Sequence, residues 1–110
     1  MGMRTEIPPG TLYMLILKTL ARLGSMHGYG IALQIQQTSG DVLQVEEGSL
    51  YPALQRMLIK GWVAAEWRQS ENKRRARYYT LTPAGRKQLT AELRHFGRVI
   101  GAIRRVIQPA

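Results

Sequence analysis

The chain of 110 residues has room for one small domain with a modest hydrophobic core and one extension. At 45% hydrophobic and 21% charged residues it has the mix of a folded protein, and its lack of cysteine excludes a disulfide scaffold, thiol catalysis and thiolate-bound zinc or iron–sulfur sites. Sixteen Lys and Arg against seven acids give a net charge of +9 and set the question of which polyanion the chain meets.

In chain order, residues 1–10 read as a short, poorly ordered arm. Thr11 can cap a helix that begins at Leu12, its hydroxyl accepting an orphan backbone N–H. Leu12, Leu15, Ile16, Leu20 and Leu23 follow helical spacing, and Tyr13, Met14 and Leu17 add apolar groups on other faces. A helix apolar on more than one stripe is expected to meet two surfaces. Its apolar run Leu12–Leu17 stops at Lys18, short of the roughly 20 residues a membrane span needs. Pro8, Pro9 and Gly10 precede that run and no convincing small-residue cleavage site follows, so no signal peptide is expected. Gly24 can close the helix.

After a turn over Ser25–Gly28, a second helix is predicted from about Tyr29 to Ser39. Ile31, Ala32 and Ile35 would face inward, with Gln34, Gln36 and Gln37 outward. Gly40 and Asp41 stop it. Residues 42–47 suggest a short extended stretch. A third helix follows, with Ser49 as N-cap and Pro52 at its third position, where a missing N–H costs little. Leu50, Leu54, Met57 and Leu58 form its apolar face. Ser49, Tyr51, Pro52, Gln55, Arg56 and Lys60 lie off that face, and Gly61 closes it.

Two strand-like runs come next, Trp62–Trp67 and Arg77–Thr82, rich in aromatic and β-branched residues. Val63, Ala65, Tyr79 and Leu81 would point inward. The polar, basic segment Arg68–Ala76 between them reads as a long charged hairpin tip. Thr82-Pro83 then starts a fourth helix, threonine as cap and proline at the first position. It is expected to run to about Ile107. Leu89, Leu93, Phe96, Ile100, Ile103 and Ile107 alternate spacings of four and three, a heptad seam widened by Val99 and Val106.

Charge follows this order. Residues 1–55 carry only Arg4, Lys18 and Arg22 against four acids, so the basic excess lies in residues 56–110, densest at Lys73-Arg74-Arg75-Ala76-Arg77. Such a patch suits a nucleic acid; a solvated basic loop or a membrane-surface patch remains open from charge alone.

Three helices followed by a hairpin is the order of a winged helix-turn-helix. The fold class is therefore mainly α with a small β-hairpin (α+β), a winged helix-turn-helix plus a long C-terminal dimerisation helix. Residues 1–10 form the arm, 11–82 the DNA-binding domain and 83–110 the dimerisation helix. A helix of about 25 residues spans roughly 37 Å, more than a small core covers. The seam of Leu89, Leu93, Phe96, Ile100, Ile103 and Ile107, with Leu12 and Leu15 of the first helix, is expected to meet a second copy. Folding back onto its own domain is the alternative.

The third helix would enter the major groove of double-stranded DNA. Gln55 can pair with adenine, and Arg56 with guanine or a phosphate. Ser49 and Tyr51 can donate to phosphate beside the helix N-terminus, with Pro52 in the same turn, and Lys60 can reach the backbone. Tyr29, at the start of the second helix, joins the set. Lys73, Arg74, Arg75 and Arg77 of the wing can lie along phosphates or enter a minor groove. A dimer would need a pseudopalindromic operator with half-sites about one turn, roughly 34–36 Å, apart.

Three segments resemble one family. His27-Gly28-Tyr29, then Gly48-Ser49-Leu50-Tyr51-Pro52-Ala53-Leu54, then Arg77-Tyr78-Tyr79-Thr80-Leu81-Thr82 with Pro83-Ala84-Gly85 are similar to the PadR transcriptional regulators over about residues 12–90. The resemblance implies a homodimeric bacterial or archaeal repressor, cytoplasmic and nucleoid-associated, of the short subgroup with one C-terminal helix. It also implies release of DNA by a small aromatic or drug-like effector. Phe96, with Met14 and Leu17 facing the same region, would line an apolar cavity at the dimer interface; ordinary dimer core is the other reading of Phe96.

Nothing points to catalysis, a metal or a cofactor. His27 and His95 stand far apart without companion acids at ligand spacing, and no zinc-protease, serine-hydrolase or phosphate-loop pattern occurs. His27 reads as a helix-start residue and His95 as a solvated one. The competing function is a basic winged helix that binds structured RNA or a protein partner.

Overall fold

The computed structural model describes residues 4–8 and 10–109. Nine elements follow in the order β1 (Thr5–Glu6), α1 (Leu12–Leu23), β2 (Met26–His27), α2 (Gly28–Thr38), β3 (Leu43–Gln44), α3 (Glu47–Ile59), β4 (Val63–Gln69), β5 (Arg75–Leu81) and α4 (Pro83–Ile107). The α+β class and the winged helix-turn-helix order are thus as the sequence implies.

The core lies where α1, α2 and α3 meet the inner face of the hairpin. Ile16, Leu17 and Leu20 of α1, Ile31 of α2, and Leu50, Leu54 and Met57 of α3 are fully enclosed. Val63 and Tyr79 close the sheet side. Truncating one such residue, Leu54 to Ala for example, would cost about 2–5 kcal/mol. Thr19, the one buried polar residue among those described, donates its hydroxyl to the Leu15 carbonyl at 2.7 Å and so carries no unmet donor.

β4 and β5 pair antiparallel from Val63↔Leu81 to Gln69↔Arg75. β2 adds a third strand, Met26↔Tyr79 and His27↔Tyr78, where the sequence suggests only a turn. Its two residues signal a strand only through a partner fifty positions away. The same holds for the arm. Thr5 and Glu6 pair in parallel with Leu43 and Gln44, and the Thr5 N–H donates to Val42 at 2.6 Å, so part of the segment expected to be disordered is held. Residues 1–3 of that arm and Pro9 lie outside the described residues.

The strands reach further into the basic segment than its polarity suggests. Only residues 70–74 form the tip, closed by Ser70 N–H to Arg74 at 2.6 Å with Lys73 at φ 59°. Arg75 and Arg77 are strand residues, because charged side chains are tolerated wherever a strand overhangs the core.

Two helix starts differ from expectation. Thr11 stands at the start of α1, but its hydroxyl donates back to the Pro8 carbonyl at 2.7 Å and caps nothing. α3 begins at Glu47, with Glu46 as N-cap, two residues before the position read from Ser49. The acids Glu46 and Glu47 complement the positive end of the helix dipole there. Pro52 therefore sits a full turn inside α3, at the sixth position. The start of α4 is as read: Thr82 Oγ1 accepts from the Gly85 N–H at 3.0 Å and Pro83 opens the helix.

α4 is buried against the domain only in its first two turns, and further along Glu92, His95, Phe96 and Val99 border a small pocket beside α1. Gly85 and Leu89 are buried; Leu93, Phe96, Val99, Ile103, Val106 and Ile107 are exposed. The protomer does not fold the seam back onto itself.

Candidate nucleic-acid interface

The exposed side of α3 carries Ser49, Tyr51, Pro52, Gln55, Arg56 and Lys60, while Leu50, Ala53, Leu54 and Met57 face the core. The helical repeat alone produces this division. Tyr51 and Gln55 form one stripe, four residues apart, toward α2 and the wing. Pro52 and Arg56 form the next, bordering a pocket with Leu12 and Tyr13 of α1.

The environment of each expected contact differs. Ser49 shares a surface pocket with Glu6, Gln44 and Glu46, so carboxylates stand where a phosphate beside the α3 N-terminus would sit. Glu46 and Glu47 already compensate that end of the helix. Lys60 holds its Nζ 5.2 Å from the Trp62 ring centre, a cation–π contact that keeps it over its own domain. Lys73 and Arg74 project from the wing tip, whereas Arg75 lies 5.6 Å over the exposed Trp67 ring. Arg68 binds Glu66 with its Nε at 2.6 Å and covers Tyr78 at 5.0 Å on the outer face of the wing.

The inner face of the wing continues past the core. Val63, Ala65, Tyr79 and Leu81 cover α1 and α3; the next pair on that face is Trp67 and Arg77. These overhang the first turn of α2 and the start of the exposed stripe of α3. The result is a cleft of about 370 Å³ lined by His27, Gly28, Tyr29, Tyr51, Trp67, Ala76, Arg77 and Tyr79. His27 caps α2, its Nδ1 accepting from the Gly30 N–H at 3.0 Å, and its ring stacks on Tyr29 at 6.3 Å and edge-on to Tyr78 at 5.4 Å. Tyr51 lies close against Gly28: a Cβ there would come within 2.8 Å of the tyrosine ring.

Burial pushes the Tyr79 hydroxyl above the usual tyrosine pKa. The charge of Arg77 opposes this and nearby Tyr51 adds to it. The Tyr79, Arg77 and Tyr51 groups are therefore close neighbours, contributed by β5 and α3. Among the described residues no group of three His, Asp or Glu is placed to hold a metal, and no helix is long and apolar enough to cross a membrane.

The model of the family described as "Transcriptional regulator PadR-like family" matches residues 16–91. The chain belongs to the PadR-like family of transcriptional regulators. The match spans α1 to the start of α4, the segment that builds the core, the α3 face and the wing. A transcriptional regulator from Clostridium thermocellum has a similar structure, with a TM-score of 0.82, 25% identity, and coverage of 90% of this chain and 95% of that one. A PadR family transcription regulator from Clostridium difficile is also similar, with a TM-score of 0.71, 29% identity, and coverage of 89% and 98%. An uncharacterized 37.1 kDa protein in transposon TN4556 of Streptomyces fradiae is 42% identical over 90 residues, which are 82% of this PadR-like chain but only 24% of that protein.

On the α1–α4 side, Met14 and Phe96 line one small pocket with Gly10, Thr11, Glu92, His95 and Val99. Leu17 is fully buried in the core and does not reach it.

Proposed function

We propose that this PadR-like chain is a homodimeric, sequence-specific DNA-binding repressor acting in the cytoplasm on the nucleoid. The observation that carries the reading is that Tyr51, on the exposed stripe of α3 with Gln55, lines one cleft with Arg77 of the wing. α3 would enter the major groove, Gln55 and Arg56 reading base edges, while Lys73 and Arg74 follow the flanking phosphates. Residues 11–82 would then hold the DNA and residues 83–110 join the copies through the seam of Leu89, Leu93, Phe96, Ile100, Ile103 and Ile107, with Leu12 and Leu15 beside it.

A small aromatic effector fits the same frame. The Met14–Phe96 pocket holds about 160 Å³ in one protomer. Drug-sized ligands occupy roughly 300–1,000 Å³, so a second copy must complete the wall. Phe96→Ala is then expected to change the response to a cognate aromatic compound while leaving the DNA affinity of the free dimer unaltered.

Footprinting on DNA flanking the chain's own gene tests the whole reading. Two protected half-sites about 10 base pairs apart are expected, with log affinity falling against log salt at a slope near −5 for about six phosphate contacts. Arg74→Ala with Arg75→Ala should weaken all sequences alike and flatten that slope, whereas Gln55→Ala should change which sequence is preferred. Identical, sequence-independent effects of both changes would remove α3 from the readout. Binding confined to folded RNA would replace DNA as the partner.

A further inference from the structure

We infer that the cleft between the wing and the first turn of α2 is a phosphodiester seat, in which Arg77, Tyr79 and Tyr51 together hold one sugar–phosphate unit of a DNA strand. The inference rests on the DNA-binding reading and adds to it a specific anion site, with Tyr79 and Trp67 as members that neither the sequence nor the family resemblance brings forward.

The first ground is an unmet donor. Tyr79 is 6% exposed and lines the cleft. Arg77, two residues before it on the same face of β5, lies beside its hydroxyl. Arginine has donors only, so it leaves the phenol proton free. Among the described residues no enclosed side-chain oxygen or nitrogen lacks a partner, so this hydroxyl opens onto the cleft, where its proton is available to an incoming acceptor.

The second ground is charge. Among the described residues Arg77 has no carboxylate partner; the ion pair present joins Arg68 and Glu66 on the other face of the wing. The guanidinium is held beside a nine-tenths-buried tyrosine with its positive charge uncompensated. The Tyr51 hydroxyl, four residues before Gln55, also makes no hydrogen bond within the described residues and borders the same space. The start of α2, where His27 caps Gly30 but nothing described takes the Tyr29 N–H, adds the positive end of an eleven-residue helix.

The third ground is shape. Most of the lining is apolar: the Trp67 ring, 58% exposed, with Arg75 over it, the Ala76 methyl, and the faces of Tyr29 and Tyr51. A free inorganic anion has no use for such walls. A deoxyribose flanking a phosphate does, and its contact strengthens the charge-assisted bonds by excluding water. Phosphate seated here would lie beside Gln55, so the clamp would fix the register in which α3 meets the bases.

The test uses the full chain, a mixed-sequence 30-base-pair duplex and fluorescence anisotropy across a range of salt. Arg77→Gln and Tyr79→Phe should each weaken binding about tenfold, the usual scale of a hydrogen bond to a charged group. Arg77→Gln should also lower the salt slope by about 0.9 per occupied cleft, and Tyr79→Phe should leave it unchanged, since it removes a donor and no charge. The double variant should lose clearly less than the product of the two, because both act on one phosphate. Tyr79→Phe keeps the buried ring; Tyr51→Phe, at an exposed position, gives the same weakening with no bearing on the core. Fully multiplicative losses, or wild-type affinity in Tyr79→Phe and Tyr51→Phe, would overturn the shared seat and leave DNA binding standing. A wild-type chain that ignores the duplex in dilute buffer would overturn both.

Discussion

Gly85→Ala should be among the most damaging single-methyl additions to this chain. Gly85 is at the third position of α4, and a Cβ built on it falls 2.1 Å from the Trp62 carbonyl oxygen and 2.6 Å from Leu81 Cδ1, where ordinary contact begins at 3.4 Å. Neither neighbour can yield freely. The Trp62 carbonyl accepts from the Thr82 N–H at 3.1 Å, the Trp62 N–H donates to Met57 at 3.0 Å, and the Thr82 hydroxyl donates to Gly61 at 2.6 Å. Together these strap the start of α4 to the turn between α3 and β4. Relief therefore means lifting the helix and losing a strap, about 1 kcal/mol. Residual overpacking adds about 1–3 kcal/mol. The helix preference of alanine over glycine returns about 1 kcal/mol. The net loss is about 2 kcal/mol, a fall in Tm of roughly 8 °C for a domain of this size. Thermal unfolding by circular dichroism measures it, at one fixed protein concentration because association shifts the midpoint. Gly48→Ala is the control: its Cβ would meet nothing within 4 Å, so it should melt at or above the wild type. A Gly85→Ala chain as stable as Gly48→Ala would refute the packing of α4 against the Trp62 carbonyl.

Three further outcomes follow from other parts of the molecule. Ile103, 46% exposed on the seam of α4, should when changed to Glu convert a dimer into a monomer in sedimentation at micromolar concentration without loss of helix signal; a persistent dimer would place the contact elsewhere. Gly28→Ala should push the Tyr51 ring, which is exposed and free to swing, so Tm should hardly change while affinity for duplex DNA falls several-fold; unchanged affinity would separate Tyr51 from the interface. Alkaline stability carries the mark of Tyr79. Its pKa is raised in the folded state, so its neutral form contributes fully below the unfolded value of about 10, and that contribution is lost as pH climbs from there through the folded value. Urea unfolding should show the wild type losing more stability than Tyr79→Phe above pH ~10, and parallel curves would mean the hydroxyl is not desolvated.

What could be read from the sequence was what the chain specifies locally. Thr82-Pro83 names a helix start because both residues act within one turn, and the spacing from Leu89 to Ile107 shows the seam because a helix repeats every 3.6 residues. The start of α3 was misread for a similarly local reason. Ser49 is the better cap by type, but Glu46 and Glu47 interact with the helix dipole, and the exit from β3 sets the geometry. β1 and β2 were illegible, since two residues make a strand only when a distant partner supplies the ladder.

The cleft is the extreme case of that limit. Gly28, Tyr51, Trp67 and Tyr79 are spread over three helices' worth of chain and join only after the wing has paired. One local signal existed. Period two places Trp67 and Arg77 on the same side as Val63, Ala65, Tyr79 and Leu81, so a strand pair already committed to the core had to carry an aromatic ring and a guanidinium beyond its edge. A solvated charge gains nothing from facing inward. Its position there is explained if the space beneath is meant for something negative, and the first turn of α2 with the Tyr51 and Tyr79 hydroxyls supplies the rest of the cradle. On this argument the wing contributes differently at its two ends. The tip cations Lys73 and Arg74 act through charge alone and should respond to salt together, whereas Arg77 acts through a built site and should respond to the loss of a single uncharged hydroxyl.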